Sequence, residues 1–492
     1  MNEFKSVFAI ILLISGIYLS NRHRWFQLSN LGASIRTCLD FRKQNRWIKK
    51  KSDHGLTPFQ ALATALGGSI GTANIAGVAG AIVIGGPGAI FWMWFAAIIG
   101  MGVKFSEIVL AIKYRERTDN GYIGGAMLYI EKGLGKRRDF IGRHTKPLAC
   151  CFAVFGALAA LFGTTLVQSN TIALSACDLF FSVSPEANWG IIKLISGAIT
   201  AVLVGIVVIG GVQRIGKASE IIVPFMALGY VLVCIIALYR FRSGIIPAFK
   251  LIFEGAFAVR SAAGGFIGFG IVQAFRTGVA RGVYSNEAGI GSAPMAHACA
   301  NTTDPVKQGL YGIFEVFADT IIICTMSALV LLASNTSIPF GEASASGTRL
   351  MLLAFQSAFS GEWVGYFLSF SIILFAYTSI LGWAVYGRQC ISYLFGKKSE
   401  QPFAIIYTLL CIVGAIAQVD AVWTAGECLN FLMAIPNLLA LILLSGEVRR
   451  ESHFLIRYEI LTQSFRINEK SCPCFGQLKR LFIMLICRRS QP

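Results

Sequence analysis

The sequence predicts an all-α polytopic membrane protein, on three observations. Of its 492 residues, 55% are hydrophobic and only 14% charged, and the mean hydropathy is +0.65; soluble domains carry about 25% charged residues. The apolar residues fall in runs of roughly 20, the length of a crossing helix. The runs do not alternate, so they do not read as strands of a closed barrel, the other structure that satisfies its backbone in lipid.

Eleven spans are predicted: 6–20, 59–82, 88–112, 147–181, 190–210, 219–239, 263–281, 309–333, 362–386, 403–418 and 425–445. The first reads as a retained helix and not as a cleaved leader. Glu3 and Lys5 cancel, and no small-residue cleavage site follows Leu19. Segment 21–58 then carries nine Lys/Arg against Asp40 and Asp53. That places it in the cytoplasm, and the remaining loops alternate from there. The loops 113–146, 211–218, 282–308 and 387–402 and the tail after 446 fall on the same side, most of them basic. Loops 83–87, 182–189 and 419–424 lack Lys and Arg; only 240–262, with Arg240, Arg242, Lys250 and Arg260, runs against the pattern. The N-terminus is expected outside and the C-terminus inside.

The net charge of +18 sits in these loops, so the expected partner is the lipid bilayer and not nucleic acid. The tail 446–492 ends in QLKRLFIMLICRRS, an apolar patch between basic clusters suited to a membrane surface. The 13 cysteines are scattered, several inside spans, and read as small hydrophobes. Cys472 and Cys474 form a pair without a second pair to complete a metal site. No P-loop, metal-ligand spacing or G-x-S-x-G element is present, so the sequence does not read as an enzyme.

A glycine-rich pattern occurs twice, GGSIGTA from Gly67 and GGFIGFG from Gly264. Each opens a block of five spans, 59–239 and 263–445. An odd number of spans per block forces the two blocks into opposite orientations. Interrupted spans at matching positions of two halves mark a transporter's binding site. A break frees N–H groups that attract a carboxylate and carbonyls that attract a cation such as Na⁺. Lipid satisfies neither, so the break must line a cavity. Ser69, Thr72 and Asn74 add polar groups beside the first break.

Other polar groups lie in spans. Gln168 and Asn170 are costly in hydrocarbon unless they face a cavity or a partner helix. Thr378 and Ser379 are adjacent hydroxyls suited to a cation, and Trp383 follows Ser379 by one turn, where it would cap a small cavity. Glu107, Glu315, Asp319 and Glu427 are intramembrane acids and candidates for an ion or proton relay. Glu315 and Asp319 share a helix face; Glu107 lies near Lys104, close to a span end, and reads as a structural pair.

The segments TPFQALATALGGSIGTANIAGVAGAIVIGGPGAIFWMWFAAIIGMGVKFSE (57–107), RGVYSNEAGIGSAPMAHA (281–298), QGLYGIFEVFADTIIICT (308–325), ILGWAVYGRQC (380–390) and LMAIPNLLALILLSG (432–446) resemble the sodium:alanine (alanine or glycine:cation) symporter family, in the family's order. The resemblance implies a leucine-transporter-like fold of two inverted five-helix repeats, here with one added N-terminal helix. It implies Na⁺-coupled uptake of alanine or glycine, small neutral amino acids, across a cell (inner) membrane, with no organic cofactor. Carried onto matching positions, the substrate carboxylate would sit on the backbone N–H groups of Thr72, Ala73 and Asn74. Gln168, Ser379 and Trp383 would line the amino acid. Na⁺ would be held by carbonyls of Gly67, Ile70 and Phe375 with the hydroxyls of Thr378 and Ser379. Ala73 replaces the family's usual glycine, Ser69 stands where some members carry an acid to meet the substrate amine, and Ala126 in GGAM replaces a proline. The alternatives are coupling to H⁺ through Glu315 or Asp319, a channel-like pore, and a sensor that binds an amino acid without transporting it. The sequence leaves the oligomeric state open.

Overall fold

Helix α1 (Asn2–Arg22) is followed by a single turn at Phe26–Ser29 and by α2 (Leu31–Leu39). This computed structural model describes residues 2–40, 55–118, 121–181, 188–257, 270–342, 347–361 and 363–469. Helix α3 (Pro58–Ser69) has a strong start signal: the Thr57 hydroxyl accepts from Gln60 N–H, the Gln60 side chain accepts from Thr57 N–H, and Pro58 fills the first helical position. A cap of this kind is worth about 1 kcal/mol. The chain then breaks, makes one tight turn at Thr72–Asn74 and resumes as α4 (Ala76–Gly85).

Helix α5 (Ala89–Tyr114) leads into a short antiparallel hairpin, β1 (Glu116–Thr118) and β2 (Gly121–Ile123), with Arg117 opposite Tyr122. The next span is α6 (Thr145–Leu158), joined through a π-helical turn at Ala159–Thr164 to α7 (Thr165–Phe181). Then follow α8 (Trp189–Val208), α9 (Val212–Arg240), α10 (Arg242–Phe257) and α11 (Ile271–Asn286). After a second interruption come α12 (Ala293–Ala298), α13 (Pro305–Val316), a π-helical stretch Phe317–Cys324, and α14 (Thr325–Ala333). The chain ends in α15 (Gly347–Ala358), α16 (Trp363–Phe395), α17 (Glu400–Ile416) and α18 (Val419–Glu469).

Among the described residues, eight helices are long and apolar enough to cross a membrane. The expected spans 6–20, 59–82 and 263–281 are not among them. The shorter pieces Ala9–Arg22 and Ala76–Gly85 are apolar but fall below crossing length.

Helix α5 is the axis of the packing and lies along α11, α12 and α13. Close approach is bought with glycine: a Cβ on Gly278 of α11 would sit 2.2 Å from the Ala89 carbonyl oxygen. Likewise a Cβ on Gly382 of α16 would sit 2.7 Å from Gly68 N, so α16 lies directly against α3.

Several expected loops are built structure. Segment 21–58 is not only a basic loop, because α2 packs on α13 and Ser34 Oγ donates to Leu310 O at 2.6 Å. Segment 240–262 contains α10, and Arg240 reaches Ala358 O at 2.8 Å. Segment 282–308 is the largest correction. Its residues 285–300 are buried and hold the second interruption. Asn, Glu, Ser and Gly give it a loop's composition, but their polar groups are satisfied inside the protein. Helix α18 runs past the expected tail boundary to Glu469. Cys472, Cys474, the terminal apolar patch, the glycine motif at 264–269 and the side chain of Glu427 lie outside the described residues.

Candidate functional site

The first interruption is where most predicted site residues meet. Helix α3 stops at Ser69, whose hydroxyl turns back to Ala65 O at 3.3 Å. Ile70 and Gly71 are extended. Asn74 closes the turn by accepting Gly71 N–H on its side-chain oxygen at 2.8 Å. Its amide nitrogen donates to Asp319 Oδ1 at 2.7 Å and to Ser285 Oγ at 3.1 Å. The Asn74 side chain therefore ties the break to α11 and to the π-helical stretch after α13. Its own N–H is bonded to Gly71 O, and Ile75 N–H to Thr72 O. The N–H groups of Thr72 and Ala73 have no backbone acceptor among the described residues, as expected of the first donors of a helical turn.

Three elements converge on Gly71. A Cβ there would lie 2.9 Å from Ser379 Oγ and 3.5 Å from Gln168 Nε2. The bare backbone leaves room for the Ser379 hydroxyl of α16, with the Gln168 amide of α7 at contact distance. Thr72 Oγ1 and Gln168 Oε1 are buried and have no hydrogen-bond partner among the described residues. Such atoms are costly in a protein interior unless a ligand or water meets them.

The predicted cation ligands gather one turn away. A Cβ on Gly67 would meet Thr378 O at 3.3 Å. The Phe375 carbonyl accepts from Thr378 Oγ1 and Ser379 Oγ, each at 3.0 Å. Both hydroxyls are buried on the α16 face that meets α3. Ile70 begins the break itself.

Trp383 and Asn170 have other partners. Trp383 is 1% exposed and donates Nε1–H to Glu287 Oε1 at 2.8 Å. Asn170 donates to Gly414 O and Ala417 O, fastening α7 to α17. The expected Glu107–Lys104 pair is not formed. Lys104 lies 3.1 Å from Glu315 Oε1, and Glu107 accepts from Asn437 Nδ2 at 2.6 Å. Glu107 is fully buried and not near a helix end. Glu315 and Asp319, one turn apart, have separate partners.

The sequence reading places its second break at Gly264, outside the described residues, and missed the interruption that follows α11. It begins at Glu287, whose φ is 54°, and passes through Gly289 and Gly291 at φ 88° and 87°. Glycine adopts that conformation without strain. Ser292 Oγ donates to Glu287 Oε2 at 2.6 Å, and Asn437 Nδ2 holds Gly289 O at 2.9 Å. The available signal was NEAGIGS itself, two glycines spaced by one residue next to an acid.

The described residues contain no group of three or more His, Cys, Asp or Glu able to hold a metal ion. At the hairpin end, Arg115 donates to the carbonyls of Ala298, Ala300 and Thr302 and stacks 3.8 Å over the Tyr122 ring. Leu56 pairs there with the same strand of chain, through Leu56 N–H to Cys299 O at 2.9 Å and Asn301 N–H to Leu56 O at 2.7 Å. A cavity of about 400 Å³ adjoins this end, lined by Tyr122, Cys299, Arg388, Gln389 and Glu400. It does not reach the residues of the first break.

With this geometry in hand, the family model for the sodium:alanine symporter family matches residues 2–461. The chain belongs to the sodium:alanine symporter family. It is a multi-pass membrane transport protein and not an enzyme. The sodium/alanine symporter AgcS of Methanococcus maripaludis is 41% identical, over 90% of this chain and 92% of its own. The probable sodium/glutamine symporter GlnT of Bacillus subtilis is 36% identical over 89% and 86%. The putative sodium/proton-dependent alanine carrier protein YrbD of Bacillus subtilis is 37% identical over 80% of each chain.

Proposed function

We propose that this sodium:alanine symporter family member couples inward Na⁺ movement to uptake of a small neutral amino acid, alanine or glycine, across the cell (inner) membrane. The observation that carries the reading is the convergence on Gly71. Bare backbone, two N–H groups without backbone acceptors, the Ser379 hydroxyl and the unpartnered Gln168 Oε1 come together there. The N–H groups of Thr72 and Ala73 receive the substrate carboxylate, with the Thr72 hydroxyl beside them. Gln168 Oε1 supplies an acceptor for the ammonium, the contact that Ser69 leaves unmade. Asn74 acts by shaping the turn. Thr378, Ser379 and the carbonyls of Gly67, Ile70 and Phe375 hold Na⁺, a hard cation that takes oxygen ligands. Ala73 and Trp383 limit side-chain size, Trp383 from its bond to Glu287.

In this reading 59–239 and 263–445 are inverted five-helix repeats of a leucine-transporter-like fold, with α1 as an eleventh crossing, the N-terminus outside and the C-terminus in the cytoplasm. The interruption at Ile70–Asn74, inside the opening span of the first block, supports it; the matching motif from Gly264 lies outside the described residues. The relative named for glutamine makes that amino acid the competing substrate. Purified protein in liposomes is given alanine, glycine, glutamine or leucine, with sodium or choline outside. Sodium-dependent uptake of alanine or glycine, with leucine a poor competitor, is expected. Equal uptake in choline with an imposed pH gradient required instead would overturn Na⁺ coupling, and preferential glutamine uptake would overturn the substrate.

A further inference from the structure

A second set of buried ionisable groups lies where α5 meets the second interruption and α13. Lys104, Glu107, Glu287, His297, Glu315 and Asp319 are all at most 6% exposed. One lysine stands against four carboxyls. Ionised carboxylates are tolerated at such depth only when paired or well supplied with donors, so the donors on each oxygen decide where charge is held.

Glu315 is paired on both oxygens, with Lys104 Nζ at 3.1 Å and His297 Nε2 at 3.2 Å. Gln308 Nε2 donates to His297 Nδ1 at 2.8 Å. In that amide orientation Nδ1 accepts, and Nε2–H donates to Glu315. The lysine charge is thus matched by Glu315. Asp319 accepts from Asn74, Ser285 and Thr320 at 2.7–2.9 Å. Glu287 accepts from Trp383 Nε1–H and Ser292 Oγ–H, one on each oxygen. Glu107 differs. Asn437 Nδ2 serves Oε1 at 2.6 Å, while Oε2 is fully buried and makes no well-formed hydrogen bond among the described residues; only the Gly291 N–H approaches the carboxyl. The Tyr386 hydroxyl is also buried without a partner and within electrostatic reach of Glu107, Glu287 and Glu315.

We propose that Glu107 is a proton-binding site, carrying a proton on Oε2 while Glu287, Glu315 and Asp319 stay ionised. Protonation removes the one carboxylate charge that the surroundings leave half-served. The site reports to the transport machinery through a single amide: Asn437 Nδ2 bonds both Glu107 Oε1 and the Gly289 carbonyl, and its oxygen accepts from Tyr129. Loss of the proton turns the Asn437–Glu107 bond into a charge-assisted one and draws the amide away from the second interruption. The groups facing the site are Lys104 on α5, Tyr129 after the hairpin, Glu287 and His297 around the interruption, Glu315 and Asp319 on the α13 segment, and Tyr386 on α16. His23 of α1 reaches α5 one residue away, at Ser106. The inference concerns a group outside the substrate and Na⁺ ligands and does not depend on the coupling ion.

Infrared spectroscopy of the full-length protein in lipid vesicles at neutral pH tests this. Surface acids are ionised under those conditions, so a protonated-carboxyl C=O band that shifts in D₂O reports a buried acid. The band is expected in the wild type, lost in Glu107→Gln, and retained in Glu287→Gln and Asp319→Asn, which leave the Lys104–Glu315 pair intact. The last two exclude Glu287 and Asp319 as the carrier even where Glu107→Gln does not fold. A wild-type spectrum without the band overturns the proposal, as does a band that survives Glu107→Gln or disappears in either of the other two.

Discussion

The proposed cation site at Thr378 and Ser379 needs little chemistry. Both hydroxyls are buried and both donate to one carbonyl, that of Phe375. They satisfy each other's surroundings without an ion and can turn their oxygens to one. Thr378→Val and Ser379→Ala each remove one oxygen ligand. By the cost of an unmet buried polar group, about 1–3 kcal/mol, each is expected to raise the half-saturating Na⁺ concentration about fivefold or more. Sodium titration of alanine uptake measures this, and an unchanged value in both variants removes the site. Gly71→Ala tests the substrate side. Its methyl group would stand 2.9 Å from Ser379 Oγ, inside contact distance. Alanine uptake is expected to fall at least tenfold, because the methyl takes the space proposed for the substrate and displaces the Ser379 hydroxyl.

The helices owe their positions to where side chains are missing. Gly278→Ala on α11 would press a methyl against the Ala89 carbonyl. It is expected to destabilise the protein by about 1–3 kcal/mol, the usual overpacking cost. Gly229→Ala on α9 is the contrasting case. No atom lies within 4 Å of the added Cβ, and removing a mid-helix glycine stabilises by roughly 0.5–1 kcal/mol. Thermal unfolding in detergent should therefore move in opposite directions for the two variants. Equal shifts would mean that helix propensity, not the α5–α11 contact, sets the response. The breaks obey the same economy: α3 is capped firmly at Thr57 and released at Ser69, so the interruption has a fixed beginning.

For the molecule as a whole, the hairpin end is closed by polar contacts. Arg115 gathers three carbonyls at and just beyond the end of α12, and Leu56 pairs with the same stretch. Cys299 lies beneath this closure at 4% exposure. Arg115→Met is expected to loosen the end and raise the rate at which a membrane-impermeant maleimide labels Cys299, with the other cysteines replaced. Labelling at the wild-type rate would show that the Leu56 pairing closes the end without Arg115.

How far the sequence was legible differs from site to site. Gly67 to Asn74 was legible because glycines, hydroxyls and an amide stand together inside an apolar run, where lipid permits them no idle role. Thr378 and Ser379 were legible for the same reason. The stretch 285–300 was not, because its polar residues match a loop's composition equally well. The partners of Glu107 were not legible either: Lys104 lies one turn away in sequence, yet its charge is used by Glu315 across the helix interface.

Hydrophobic run length, loop charge and the glycine-rich polar motif at 67–74 are local quantities, and they determined that this chain is helical, multi-pass and interrupted near Gly71. Which buried polar group serves which other is not local. Asn437 meets Glu107 and Gly289, Trp383 meets Glu287, and Gln168 meets the first break only after α5, α7, α11, α16 and α18 have packed. Only the tertiary structure decided those pairings, because a buried polar group takes its partner from whatever neighbouring helix the packing presents, and no spacing along one chain segment encodes that choice.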